Sequence, residues 1–215
     1  MAVQLRVNAY MREKAMSAFC KRALDLTVAA VGLVLLSPLL AAIAVAIRIT
    51  MGRPVLFRQI RPGYHARRFT VVKFRTMTEP DPDVDSTSDA ERLTGLGTFL
   101  RRFSLDELPQ LWNVLTGDLS LVGPRPLLIE YLQHYTPEQA RRHNVKPGVT
   151  GWAQVNGRNE VSWERKFALD LWYVDHQSFW VDLRIIALTF WKVLKREGIS
   201  QKGHATTEKF GAGRG

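Results

Sequence analysis

The densest run of reactive side chains is Arg101-Arg102-Phe103-Ser104-Leu105-Asp106-Glu107-Leu108-Pro109-Gln110. Two adjacent carboxylates, Asp106 and Glu107, stand at a helix start, where free backbone N–H groups and the positive end of the helix dipole favour negative charge. Ser104 with Glu107 also has the spacing of a capping box, a purely structural use of the same residues. Pro109 strains that assignment, because a helix capped at Ser104 needs the amide that proline lacks. Capping by Asp106 places Pro109 in the donor-free first turn instead. On this pattern alone, capping and chemistry both stand open. Arg101 precedes the acids by about one helical turn, and Gly123-Pro124-Arg125-Pro126 follows them. An arginine between two prolines sits on stiff, extended backbone. Its planar guanidinium matches phosphate oxygens in a bidentate way, or else pairs with a surface acid. A carboxylate pair among arginines is what a metal-assisted reaction at a phosphate ester requires. One acid holds Mg²⁺, the other attacks or takes a proton, and the cations neutralise phosphate oxygens.

The elements that must position these residues divide the chain unevenly. Its 215 residues fit one domain, or one domain with an appendage, and 46% hydrophobic content excludes a wholly disordered chain. A single cysteine, Cys20, excludes an internal disulfide framework or a zinc site built on several thiolates. His65, His134, His143 and His176 lack metal-ligand spacing. The net charge is +10, but residues 1–78 carry 13 Lys/Arg against Glu13 and Asp25, a net of +11. Residues 79–215 carry 17 Lys/Arg against 18 Asp/Glu, a net of −1. A nucleic-acid partner would explain the basic excess but not what accompanies it.

What accompanies it is residues 26–47, LTVAAVGLVLLSPLLAAIAVAI, 22 residues without a charge. As a helix this run would be about 33 Å long, one bilayer core. It is too long, and lacks the cleavage signal, for a secretory leader. Ser37-Pro38 falls near its middle, where an interior proline breaks or kinks a helix. Ser37 is placed to bond a carbonyl that the proline frees. Arg6, Arg12, Lys14, Lys21 and Arg22 precede the run. Arg48, Arg53, Arg58, Arg61, Arg67, Arg68, Lys73 and Arg75 follow it. Basic flanks prefer the cytoplasmic side, and here both ends are basic. A helix-break-helix hairpin that enters one leaflet and returns satisfies break and flanks together; a kinked span is the alternative.

Beyond the anchor, residues 55–57 and 69–74 read as strands around the turn Arg61-Pro62-Gly63-Tyr64. The Asp- and Pro-rich residues 79–91 read as an exposed loop, with helices near 93–102 and from Ser104–Glu107. Thr136-Pro137-Glu138 starts another helix, and Lys146-Pro147-Gly148 is a turn. Residues 161–196 form one long apolar-periodic stretch with Trp163, Trp172, Trp180 and Trp191, suited either to a membrane interface or to aromatic core packing. The polar, Gly-rich tail from Gly198 is expected to fray.

Several motifs together resemble the bacterial sugar transferases, and more narrowly the small monotopic phosphoglycosyl transferases. They are Lys21-Arg22-x-x-Asp25, the Ser37-Pro38 break, KFRTM at 73–77, SLDELPQLWNVLTGDLSLVGPRP at 104–126 and PGVTGWAQVNGRN at 147–159. The resemblance runs from about Lys21 to Gly198 and omits the extra N-terminal membrane domain of larger members. It implies a mostly α, α/β chain: an extension (1–20), a re-entrant membrane hairpin (21–50), a catalytic domain with interfacial amphipathic helices (51–198) and a flexible tail (199–215). It implies transfer of a sugar 1-phosphate from a UDP-sugar to polyprenyl (undecaprenyl) phosphate with release of UMP. The setting would be the cytoplasmic face of a bacterial inner membrane, as the first membrane step of glycan assembly.

By that resemblance Asp106 is the nucleophile of a covalent aspartyl phosphosugar, and Glu107 binds Mg²⁺. Lys73, Arg101 and Arg125 surround the phosphates. Lys21 and Arg22, with Ser37 and Pro38, hold the lipid phosphate and the hairpin. Pro124, Pro126, Asn156 and Arg158 would belong to a nucleotide loop, although a structural turn at 147–159 is an equal reading. Membrane lipids are expected partners, nucleic acid is not, and a homodimer is compatible with the chain. A membrane-anchored, non-enzymatic UDP-sugar-binding or scaffold protein is the competing function. The identity of the sugar is not legible.

Overall fold

No proline interrupts the chain before Pro38, and the first helix, α1, runs over Ala2–Leu35. It stops where proline forces it to. The amide missing at Pro38 would have bonded the Val34 carbonyl, and the Ser37 hydroxyl donates to that same oxygen at 2.8 Å. The second helix, α2, covers Ser37–Thr50 with Pro38 in its first turn. The two helices are bent by 62°. Among the described residues no single helix is long and apolar enough to cross a membrane, but Met16–Leu35 and Ser37–Thr50 together are. A helix-break-helix is therefore present, in place of a straight rod.

The computed structural model describes residues 2–79, 89–157, 161–195 and 210. Arg158, most of the expected loop at 79–91 and the tail apart from Phe210 lie outside the described residues. The chain is mostly helical with two small sheets. Strands β1 (Leu56–Pro62) and β2 (Arg68–Phe74) form an antiparallel hairpin with Phe57 opposite Lys73 and Arg61 opposite Phe69. The strand therefore continues through Arg61-Pro62, where a turn was expected. The reversal falls on a 3₁₀ turn at Tyr64–Ala66, in which His65 and Ala66 take positive φ.

Helices α3 (Asp89–Arg92) and α4 (Gly95–Arg102) follow, then a 3₁₀ turn at Leu105–Glu107 and α5 (Gln110–Thr116). Strand β3 (Ser120–Val122) pairs in parallel with β4 (Gly148–Thr150). Between them lie the 3₁₀ segment Ile129–His134, the short helix α6 (Pro137–Ala140) and the 3₁₀ turn Arg141–Asn144. Thr136 opens α6 as expected, through a full capping box with Gln139. The glycines around β4 are required by contact: a Cβ at Gly148 would lie 2.1 Å from the Gly123 nitrogen, and one at Gly151 2.1 Å from the Gly123 oxygen. The Gly148–Gly151 part of the 147–159 motif is thus backbone packed directly against Gly123, just before Arg125.

The single apolar stretch expected at 161–196 is divided. After α7 (Trp152–Val155) come α8 (Trp163–His176), capped by the Ser162 hydroxyl on the Arg165 amide, and α9 (Phe179–Lys195). Two of its tryptophans pack against rings from other segments, and two stay more than half exposed. Trp172 stacks on Trp152 at 4.8 Å, and Trp163 joins an aromatic cluster with Tyr131, Phe167 and Phe210. Trp180 and Trp191 remain 76% and 57% exposed. Phe210 is buried in that cluster, so this tail position docks where fraying was expected.

One face of α1 joins the globular body. Lys21, Arg22, Asp25 and Ala29 recur at helical spacing, and Gly32 lies against Leu111 of α5. Asp25 accepts the Leu121 amide at 2.9 Å and the Ser120 hydroxyl at 3.1 Å. Arg22 donates to the Val114 and Leu115 carbonyls at the end of α5, at 2.7 and 3.0 Å. Lys21 reaches the Val122 carbonyl at 2.9 Å and the buried Asp182 at 2.7 Å. Ala29 then enters the main core with Val114, Leu119, Leu121, Val122, Tyr173 and Ile185. A second cluster, Ile43, Ile47, Phe74 and Leu100, seats the far end of α2 on β2 and α4. Across residues 26–47 the outward sides carry no charge: Val31, Val34, Leu35 and Val45 are all at least half exposed.

Asp182 is 1% exposed, so its charge depends on Lys21. Lys21→Met strands that carboxylate, and the expected loss is about 3–5 kcal/mol of stability. Thermal unfolding in detergent micelles checks this; an unchanged midpoint refutes the latch.

Candidate functional site

The two carboxylates occupy a tight connection between α4 and α5. Ser104 takes a left-handed conformation at φ 55°, so the chain reverses there, and its side chain makes no helix-capping bond. Helix α5 starts only at Gln110, with Pro109 at its N-cap position. Neither capping box nor Asp106 cap forms, and both acids are released from structural duty in the helix ladder.

Glu107 is the meeting point of three elements. Lys73, from β2, donates to its Oε1 at 2.7 Å. Arg125, from the turn after β3, donates to the same oxygen at 2.6 Å and to Oε2 at 3.4 Å. Asp106 is buried beside this group. Arg101 comes from α4, where its Nε donates to the Thr76 hydroxyl at 3.0 Å. That helix approaches so closely that a Cβ on Gly97 would lie 1.9 Å from the Thr76 carbonyl oxygen. Five expected residues, Lys73, Arg101, Asp106, Glu107 and Arg125, are thus gathered from elements distant in sequence.

The charges act on one another. Burial alone would raise Glu107, but Arg125 and Lys73 outweigh it and hold this carboxyl well below the usual range. Asp106 is raised by burial and by the adjacent Glu107 charge, against the pull of Lys73, Arg125 and Arg101. Burial lowers Lys73 and Arg101 despite the acids. One of the two carboxyls is thereby a fixed anion, and the other is raised, first by burial and then by its neighbour's charge.

The remaining expected residues lie elsewhere. Pro124 is buried and Pro126 partly so, flanking Arg125. Asn156 donates to the Trp152 carbonyl at 2.8 Å and closes α7 locally. Lys21 and Arg22 are committed to acceptors of the globular body. Ser37 and Pro38 form the helix break.

Sequence reasoning missed three supports. Arg75 ties β2 to the end of α2 through the Met51 and Arg53 carbonyls; its place inside the 73–77 motif was the only signal. Arg61, half-buried and bonded to Gln59, is lowered to about 10 by burial and the nearby Arg125. Arg142 and Asp170 form a buried pair at 2.7 Å, which no spacing announces.

Comparison with known proteins bears on what such a cluster serves. Residues 16–196 match the bacterial sugar transferase family. The chain belongs to that family. It is 56% identical over 191 residues to an uncharacterised sugar transferase, EpsL, of Bacillus subtilis, covering 88% of this chain and 95% of that protein. It is 43% identical over 183 residues to the UDP-glucose:undecaprenyl-phosphate glucose-1-phosphate transferase of Escherichia coli, covering 80% of this chain but 39% of that one. It is 37% identical over 204 residues to the undecaprenyl-phosphate galactose phosphotransferase of Salmonella typhimurium, covering 86% and 42% respectively. The chain therefore spans about two-fifths of these last two relatives and nearly all of the first.

Beside Arg142, His143 is buried with Nδ1 3.0 Å from the Gly63 carbonyl oxygen and no hydrogen-bond partner on Nε2. Burial, with the Arg142 charge, pushes this imidazole down to about 4. An unfolded histidine titrates near 6.5. The unfolded chain therefore binds the extra proton first, and this contribution to stability is complete above about pH 6.5. It declines as pH falls from there toward about 4. The His143 ring signal in an NMR titration should move only near pH 4; a midpoint near 6.5 refutes the assignment.

Proposed function

We propose that this chain transfers a sugar 1-phosphate from a UDP-sugar to polyprenyl phosphate. The observation that carries this reading is the buried Asp106 beside a Glu107 held by Lys73 and Arg125. Its support is the family membership and the names of relatives acting on undecaprenyl phosphate. Those relatives name different sugars, glucose and galactose, so the proposal stops at the class of donor.

The chemistry follows from the groups present. An Asp106 oxygen attacks the phosphorus that bears the sugar. The bond from that phosphorus to the bridging oxygen breaks, and UMP leaves with the electron pair. Arg125, Lys73 and Arg101 neutralise phosphate oxygens during this step. The product is an acyl phosphate on Asp106, a good donor. An oxygen of polyprenyl phosphate then attacks the same phosphorus, the bond to Asp106 breaks, and the carboxylate returns. A carboxylate suits both halves, since it attacks without first losing a proton and leaves readily.

Mg²⁺ suits the same corner. Among the described residues no group of three or more potential ligands gathers, so the protein offers the Asp106–Glu107 pair alone. Mg²⁺ is commonly held by one or two carboxylates with substrate phosphates completing its shell. Asp106 is raised partly by its neighbour's charge, a repulsion that a cation relieves. The residues fit, with Glu107 as the principal ligand; the ion would supply charge neutralisation at the diphosphate.

The acceptor's tail lies in lipid, which explains the anchor. We place α1 and α2 as a re-entrant pair in the cytoplasmic leaflet of a bacterial inner membrane, with residues 21–50 dipping and returning. The 62° break, the uncharged surface of residues 26–47 and the basic flanks support this.

Asp106→Asn should lower UMP release from a UDP-sugar panel, with Mg²⁺ and undecaprenyl phosphate, by at least about 10³-fold. Donor-treated wild-type protein should gain the mass of a phosphosugar on the peptide bearing Asp106. Wild-type turnover by the Asn variant, or no adduct, refutes the mechanism. For the anchor, Tyr10→Cys and Ile60→Cys in a Cys20→Ser background should both be labelled from the cytoplasmic side; labelling from opposite sides means a span.

A further inference from the structure

Arg142 is 3% exposed and Asp170 4%, an ion pair taken almost wholly out of water. Such pairs are seldom worth their desolvation in stability alone, which points to a further use of the charge. The Arg142 guanidinium donates to Asp170 Oδ2 through Nη2 at 2.7 Å and Nε at 3.2 Å. Its Nη1 reaches the Tyr135 hydroxyl at 3.4 Å. The remaining bond is different in kind: Nη2 also donates to the backbone carbonyl of Arg125 at 2.8 Å.

That carbonyl is a control point. Pro124 and Pro126 flank Arg125 and fix their own φ, leaving the rotation at Arg125 itself as the local freedom. A bond to its carbonyl oxygen sets that rotation, and with it the direction in which the side chain leaves toward Glu107. The same 3₁₀ turn holds a second element. His143, next to Arg142, lies 3.0 Å from the Gly63 carbonyl, at the closed end of the hairpin whose β2 carries Lys73. The turn Arg141–Asn144 thus holds the Arg125 backbone and, separately, the turn end of that hairpin, opposite the end where Lys73 pairs with Phe57.

We infer that the buried Arg142–Asp170 pair is a positioning device for Arg125: Asp170 orients Arg142, whose guanidinium fixes the Arg125 backbone so that its side chain meets Glu107 and the substrate phosphate. This rests on the preceding reading of Arg125 as a phosphate-binding group. Arg142 and Asp170, both buried, act through Arg125.

The test is a double-mutant cycle. Arg142→Met with Asp170→Leu removes both charges at once, an exchange that buried ion pairs often tolerate without loss of stability. The expected result is a near-wild-type thermal midpoint with kcat/KM for the UDP-sugar lowered about 10–100-fold, the scale of a misplaced group. In an Arg125→Gln background the same exchange should have no further effect. A full additional loss there, or undiminished turnover of the paired variant, overturns the proposal. Should the paired variant not fold, Arg142→Lys, which keeps a charge for Asp170 but loses the planar fork, enters the same cycle, and the same two results support or overturn the proposal. A second readout needs no turnover. The Arg125 Nε–H signal in ¹H–¹⁵N spectra, identified by its loss in Arg125→Gln, should shift and exchange faster with solvent in the paired variant. An unchanged signal overturns the positioning role. Inactivity of the wild type with every donor would instead tell against the function proposed above, leaving this spectrum to decide the present point.

Discussion

One carboxylate oxygen organises the cluster. Glu107 Oε1 receives Lys73 at 2.7 Å and Arg125 at 2.6 Å, so a strand, a 3₁₀ turn and a proline-flanked loop converge on a single acceptor. Side chains only 16% and 23% exposed, those of Glu107 and Lys73, leave little water to weaken the attraction. The consequence passes to Asp106. Burial and the neighbouring charge raise its carboxyl, while Lys73, Arg125 and Arg101 pull the other way.

The second constraint is the attachment of the bent helix pair. Three residues of α1 that face the body are charged, and each is answered by a specific partner: Lys21 by Asp182 and the Val122 carbonyl, Arg22 by the carbonyls ending α5, Asp25 by the amide of Leu121. Two of these partners lie in β3, the strand that immediately precedes the Arg125 loop. The apolar helices are therefore fastened to the polypeptide that supplies the site, rather than hinged to it by a linker. Arg75 repeats the connection from the other end of the pair, capping α2 with the strand that supplies Lys73.

Much of this was legible in the residues. The charge-free run, the proline inside it and the acid pair among arginines declared their parts, because burial of apolar surface, a missing amide and adjacent carboxylates act locally. The 3₁₀ character of 105–107 was not legible. A serine that could cap a helix was instead turned into a left-handed reversal, a choice made by how α4 and α5 pack and not by local preference. The joints Lys21–Asp182 and Arg142–Asp170 span 161 and 28 positions, and no periodicity relates their partners. Lys21 and Arg22 were visible as basic residues just before the apolar run, yet in the fold their donors face inward, where only tertiary contacts could assign them.

The aromatic cluster around Phe210 changes how the end of the chain should be handled. Tyr131, Tyr135, Trp163 and Phe167 all lie within about 6 Å of its ring, centre to centre. A protein shortened after α9, on the view that a glycine-rich terminus is dispensable, would expose an unfilled hollow of four rings to solvent. It would invite clumping during purification that says nothing about the native molecule. Affinity handles are better appended with Phe210 retained.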